Sequence, residues 1–166
     1  MKFSVAALAG LVSAASAAVI PASNTTLPAA FTLIANGGKT ALTDGQYVYV
    51  GGDATDGKEI LILRSAANGM VSFTSKDGVP TAFQNLYIVE NDVTPVSLTV
   101  PHSGAVPENG NMNGFGVNSE GYFTNKGRPW FSVDIGDVPS KQVYWYGGHN
   151  AEYYGLNLWV KECKGC

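Results

Sequence analysis

From residue 31 onward, apolar residues recur at every second position in short bursts, and Gly, Asn, Asp or Pro closes each burst. That alternation predicts β-strands with one face turned to a core. The first runs over residues 31–35 ("FTLIA") and stops at Asn36-Gly37-Gly38. Residues 46–50 ("QYVYV") alternate β-branched and aromatic side chains between Asp44-Gly45 and Gly51-Gly52. Residues 59–64 ("EILILR") form a continuous apolar run, which predicts burial on both faces. Asn68-Gly69 then leads into residues 70–75 ("MVSFTS"), a hairpin signal. Further strands are expected at 85–90, 95–100, 115–117, 122–124, 130–135, 142–146 and 156–161. Helical periodicity is nearly absent. About ten short strands at such spacing predict a single all-β domain, an antiparallel β-sandwich or barrel. The last two strands, 142–146 and 156–161, read as a closing hairpin.

The first residues lack this pattern. Lys2 precedes a short run of apolar and small residues that ends in Ala15-Ser16-Ala17. That combination predicts a secretory signal peptide over residues 1–17. The run is shorter than the roughly 20 apolar residues a membrane-spanning helix needs. A flexible arm is expected over 18–30, followed by the β domain over 31–166. Asn24-Thr25-Thr26 is the only Asn-x-Ser/Thr sequon of the chain and lies in that arm, so Asn24 is the expected glycosylation site.

Charge is sparse. The whole chain carries −3, and loss of Lys2 with the signal makes it −4. No Lys/Arg cluster occurs, so neither nucleic acid nor an anionic membrane is an expected partner. Cys163 and Cys166 are the only cysteines. In an oxidising compartment they either pair with one another or bridge to other chains. A thioredoxin-like role lacks the following helix that would activate a thiol. Zinc needs more ligands than this motif offers, and no metal or cofactor is expected.

Candidate enzyme chemistry is thin. His102 and His149 are the only histidines. Ser103 adjoins His102, but neighbours in an extended loop do not converge as a nucleophile and base must. Glu152 follows His149 in a Gly-rich loop. Asp53, Asp56 and Glu59 share one loop, and Asp134 and Asp137 flank another. All read as turn formers and solvated charges rather than as a hydrolytic pair.

The aromatics remain. Tyr47 and Tyr49 share a strand face, as do Tyr144 and Tyr146, with Trp145 on the opposite side. Burial of Trp130, Trp145 and Trp159 in a sandwich core is the heavier reading, because aromatic rings dominate core energetics. The alternative is an exposed platform for a sugar ring, with Tyr144, Trp145 and Tyr146 as the candidate carbohydrate-binding residues.

The signal segment, "FTLIA", "GQYVYV", and the loop "TVPHSGAVPENG" leading into "GFGVNSEGYFT" together resemble the small secreted fungal cell-wall proteins of the PhiA type, a group that includes IgE-binding allergens. The late Trp-containing strand followed by a Cys is also similar. Proteins of that type generally carry cysteines inside the domain, whereas this chain has none before Cys163. The resemblance carries no catalytic motif. It implies an extracellular, wall-associated, non-enzymatic protein with a structural, developmental (conidium and phialide) or stress-protective role. Wall polysaccharide or wall matrix is the implied partner. The alternatives are a secreted carbohydrate-binding or host-interacting virulence effector or antigen, and a secreted hydrolase using His102 or His149.

Overall fold

The computed structural model describes residues 26–55 and 57–166. The expected signal segment, the arm up to Thr25 and the Asn24 sequon lie outside the described residues. Leu27 packs against the core, and Pro28 O and Ala29 O accept hydrogen bonds from the Ser65 hydroxyl and backbone N–H at 2.9 and 3.2 Å. The described end of the arm is therefore tied to the domain, and the first strand begins at Ala30.

Sixteen strands are present among the described residues. They are β1 (Ala30–Ala35), β2 (Lys39–Thr43), β3 (Val48–Val50), β4 (Glu59–Ile60), β5 (Leu63–Ser65), β6 (Val71–Phe73), β7 (Gln84–Val89) and β8 (Thr94–Pro95), then β9 (Ser97–Leu98), β10 (Gly110–Asn111), β11 (Phe115–Val117), β12 (Phe123–Asn125), β13 (Phe131–Asp134), β14 (Lys141–Trp145), β15 (Tyr153–Gly155) and β16 (Leu158–Glu162). Every pairing is antiparallel. Fourteen strands join one large sheet, and β11–β12 form a separate hairpin. The fold is all-β, as the alternation predicts, and its large sheet is consistent with a sandwich.

The strands outnumber the expected ten because several apolar runs change partner midway. The 59–64 run splits into β4, which pairs with β2, and β5, which pairs with β1 and β6. The 95–100 run leaves Thr94–Pro95 on β14 and Ser97–Leu98 on β7. Strands that pass between sheet regions in this way turn the corners of a folded sheet. Burial on both faces of "EILILR" does not occur: Leu61 and Leu63 are buried, but Ile60 is 47% exposed. Its alternation is that of a one-sided strand.

The closing hairpin is also corrected. β14 lies against β13, β3 and β8, and β16 pairs with β1 instead, with Phe31 opposite Glu162 and Ala35 opposite Leu158. β1 is thus filled on both edges. β16 takes one along 31–35, and β5 and β2 divide the other at residues 30–31 and 34–35. The hairpin at Asn68-Gly69 stands: β5 and β6 pair around it, with Asn68 at φ 59°.

The core collects the inward side chains of these strands, among them Phe31, Leu33, Leu63, Val71, Phe73, Leu86 and Ile88. One chain of rings crosses it. Phe115 stacks on Phe123 at 5.3 Å, Phe123 on Phe131 at 5.6 Å, and Phe131 meets Trp145 edge-on at 5.2 Å. That chain leads to the surface.

Candidate functional site: an aromatic cleft around Trp130

Beyond Trp145 the rings continue outward. Trp130 lies 6.1 Å from Trp145, and half-buried Tyr146 meets Trp130 edge-on at 5.2 Å. Exposed His149 closes the group, 5.9 Å from Trp130 and 4.5 Å from Tyr146. The cleft is therefore the solvent end of a ring chain whose inner members are fixed by burial. Such support holds the outer rings in place before any ligand arrives.

The backbone is bent to build it. β14 ends at Trp145, and Tyr146 adopts the left-handed region at φ 64° while its N–H donates to Trp130 O at 2.9 Å. For a bulky side chain that conformation costs about 1–3 kcal/mol and persists only where the surroundings impose it. The next residue leaves no choice. A Cβ on Gly147 would sit 2.1 Å from Ser132 Oγ and 2.9 Å from the Tyr153 ring, so only glycine fits. The turn closes when the Asn150 N–H donates to Gly147 O at 2.9 Å. β14 ends before this turn, and the hydrogen bond from Tyr146 to Trp130 continues the register of β13 and β14 so that Tyr146 stands opposite Trp130.

Two hollows share Trp130 and Tyr146 as a common wall. One, of about 240 Å³, is completed by Glu90, Asn91, Asn125, Lys126, Arg128 and the edge of Trp145. The other, of about 190 Å³, is formed with Pro129, Phe131, Gly148, His149 and Gly155. The polar one is held by the tight turn after β12, where Asn125 bridges Arg128 and Lys126 and Gly127 both have positive φ. Lys126 is ion-paired with Glu90, which also accepts from Asn111 Nδ2 at 2.7 Å. The Arg128 guanidinium lies 4.4 Å from the Trp130 ring centre and makes no ion pair among the described residues.

The three candidate platform residues part company. Trp145 is 4% exposed and belongs to the core. Tyr144 lines neither hollow: its hydroxyl donates to Gln142 Oε1 at 3.0 Å and its ring meets Tyr153 at 4.9 Å. Tyr146 lines both hollows, and Trp145 lines one of them. Tyr144, Trp145 and Tyr146 do not form one platform, because Tyr144 packs on Tyr153 whereas Tyr146 packs on Trp130 and His149. Nor do the three Trp residues share a core. Trp130 is half-buried, and Trp159 is 36% exposed with its ring on Tyr122 at 5.0 Å.

Tyr144 belongs to a second aromatic region with Tyr47, Tyr49 and Tyr153. Burial, followed by neighbouring Tyr153, pushes the Tyr144 hydroxyl above its ordinary pKa. Burial, reinforced by the carboxylate of Asp44, pushes Tyr49 up to about 12. Asp44 itself feels opposing influences. Burial raises its pKa, but the N–H groups of Tyr47 and Gln46 and the Tyr49 hydroxyl, at 2.8, 2.9 and 2.8 Å, lower it further, and the net shift is downward. The Tyr49 hydroxyl and the Asp44 carboxylate are engaged in fixing the β2–β3 turn, and the Tyr144 hydroxyl is engaged by Gln142.

The remaining sequence candidates are scattered. His102 is exposed at φ 61°, and the neighbouring Ser103 hydroxyl accepts the Ala105 N–H at 3.1 Å. Glu59 accepts from Ser75 Oγ at 2.6 Å and from the Lys76 N–H at 2.9 Å. Asp56 lies outside the described residues. Among the described residues, no three His, Cys, Asp or Glu side chains gather to hold a metal ion. Cys163 and Cys166, which the sequence left open between two pairings, are bonded to each other with Cα atoms 5.8 Å apart. No helix among the described residues is long and apolar enough to cross a membrane. Sequence reading missed Arg128 and the cleft role of Trp130 and His149. The Gly pair after Tyr146 was the available signal that the strand ends in a turn there.

No family model, curated protein or solved structure matches this chain.

Proposed function

We propose that this protein is a secreted, non-enzymatic, wall-associated protein of structural or protective role, and that it holds wall polysaccharide through the cleft around Trp130. One observation carries the reading. A half-buried Trp and a strained Tyr stand at the solvent end of a rigid ring chain, beside amide and charged side chains. A sugar offers an apolar CH face and a rim of hydroxyls. The first suits an aromatic ring, and the second suits exposed Asn91 and the Glu90–Lys126 pair. Backbone strain at a surface aromatic is a recurrent mark of binding sites.

The test is retention of the mature domain on insoluble chitin, β-glucan and whole walls through rising salt steps, beside a Trp130→Ala variant. The expected result is retention of the wild type at high salt, where screened charges no longer hold a protein. Trp130→Ala should lose at least about tenfold in affinity, near 1.4 kcal/mol. Equal retention of both proteins, or of neither, removes the reading.

A further inference from the structure

The two hollows differ in chemistry though they share a wall. The His149 side is lined by rings, Pro129 and glycines. The other contains three charged side chains, Glu90, Lys126 and Arg128. Lys126 neutralises Glu90, and that carboxylate is also held by Asn111. The charge left over is therefore that of Arg128. Its guanidinium rests on Trp130 rather than on any carboxylate of the described residues. This local positive charge stands on a chain whose overall charge is negative. A guanidinium held over a ring face has N–H groups to spare, and its fork matches a carboxylate or phosphate with two parallel hydrogen bonds.

We infer that the hollows are adjacent subsites of one glycan cleft, the His149 side taking a neutral sugar and the Arg128 side a sugar that bears an anionic group. The inference rests on the proposed glycan-binding function and names the class of glycan. The anion is carried either as a uronate carboxylate or as a phosphate ester. Both present the same paired oxygens to Arg128, and the sugar ring bearing them lies along Trp130. The ligand is at least two units long, because the subsites lie on either side of the Trp130–Tyr146 wall.

Calorimetric titration of the mature protein at low salt tests this with a neutral oligoglucoside, an oligouronate of equal length, a phosphorylated disaccharide and inorganic phosphate alone. At least one acidic glycan is expected to bind tenfold or more tightly than the neutral one, with the preference shrinking as salt rises. Arg128→Gln should erase that preference, whereas Lys76→Gln, on a different face, should leave it intact. Preference for the uronate assigns the carboxylate, and preference for the phosphorylated sugar assigns the phosphate. Inorganic phosphate that binds as tightly as either acidic glycan overturns the glycan subsite. Equal affinity for neutral and acidic glycans, or a preference that survives Arg128→Gln, overturns the inference while the cleft stands as a glycan site. Binding of none of the glycans, joined with no retention on walls, removes the underlying function as well.

Discussion

The molecule has a larger concavity than the Trp130 cleft. A groove of about 560 Å³ runs between Ile60, Ile62, Phe73, Pro80 and Phe83, with Glu59, Arg64 and Lys76 on its rim. Ile60 and Phe83 are half exposed there. Two of its three charged side chains are engaged already. Glu59 is held by Ser75 and the Lys76 N–H, and Arg64 donates to Cys166 O at 3.1 Å. The Trp130 cleft is smaller but keeps a guanidinium that makes no ion pair among the described residues, half-buried rings, and a strained residue at its centre. Volume therefore ranks the two regions one way and unspent chemistry ranks them the other. A ligand is recognised by groups that still have bonds to make.

The harshest way to break this comparison is to remove the support beneath the cleft. Trp145→Ala deletes a buried ring in contact with Phe131 and Trp130. It is expected to cost about 3–5 kcal/mol, read by urea unfolding. A variant that unfolds like the wild type but fails on walls would return Trp145 to the binding surface. Gly147→Ala is next, at about 1–3 kcal/mol, because its Cβ meets Ser132 and Tyr153. Glycan binding should fall with it, since the clash displaces the turn that places Tyr146.

Asp44 sharpens the comparison from outside both regions. Its carboxyl is held below the ordinary 3.8, so its stabilising effect is complete above the unfolded pKa and is lost as pH falls through the folded one. Asp44→Asn should flatten that acid limb of the stability curve by less than about 1 kcal/mol, given its exposure. It should also bring Tyr49 down from about 12 in an ultraviolet titration. The smallest effect belongs to the groove: Phe83→Ser should alter stability within about 0.5 kcal/mol and leave wall retention unchanged. A loss of retention there would reverse the ranking of the two concavities.

Strand existence was legible where alternation is strong, as at Val48/Val50, Val71/Phe73 and Phe131/Val133, because inward positions must be apolar. β2 was not legible. "KTALT" is a weak pattern, and its place is set by β1 and β3 on either side. β15 hides in a turn-like stretch and exists because β13 offers it an edge. Pairing partners also escaped, since periodicity identifies a strand's face but not its neighbour. The site was half legible: its rings were conspicuous, yet alternation along one strand does not show that Tyr146 packs on Trp130 while Tyr144 packs on Tyr153. Arg128 carried no pattern at all, because stacking on Trp130 depends on the turn at Lys126-Gly127 rather than on spacing.

The pairing of β1 with β16 also sets an order of events. A chain delivered from its N-terminus presents β1 early, and its partner along residues 31–35 comes only with Leu158–Glu162. Until then one edge of β1 offers unpaired N–H and C=O groups, the template on which chains join one another. Completion by so distant a segment makes for slow folding, because the loop must close before the contact is gained. A nascent form lacking β16 should therefore be the species most prone to aggregate, and the final five-residue strand acts as the chain's own clasp against it.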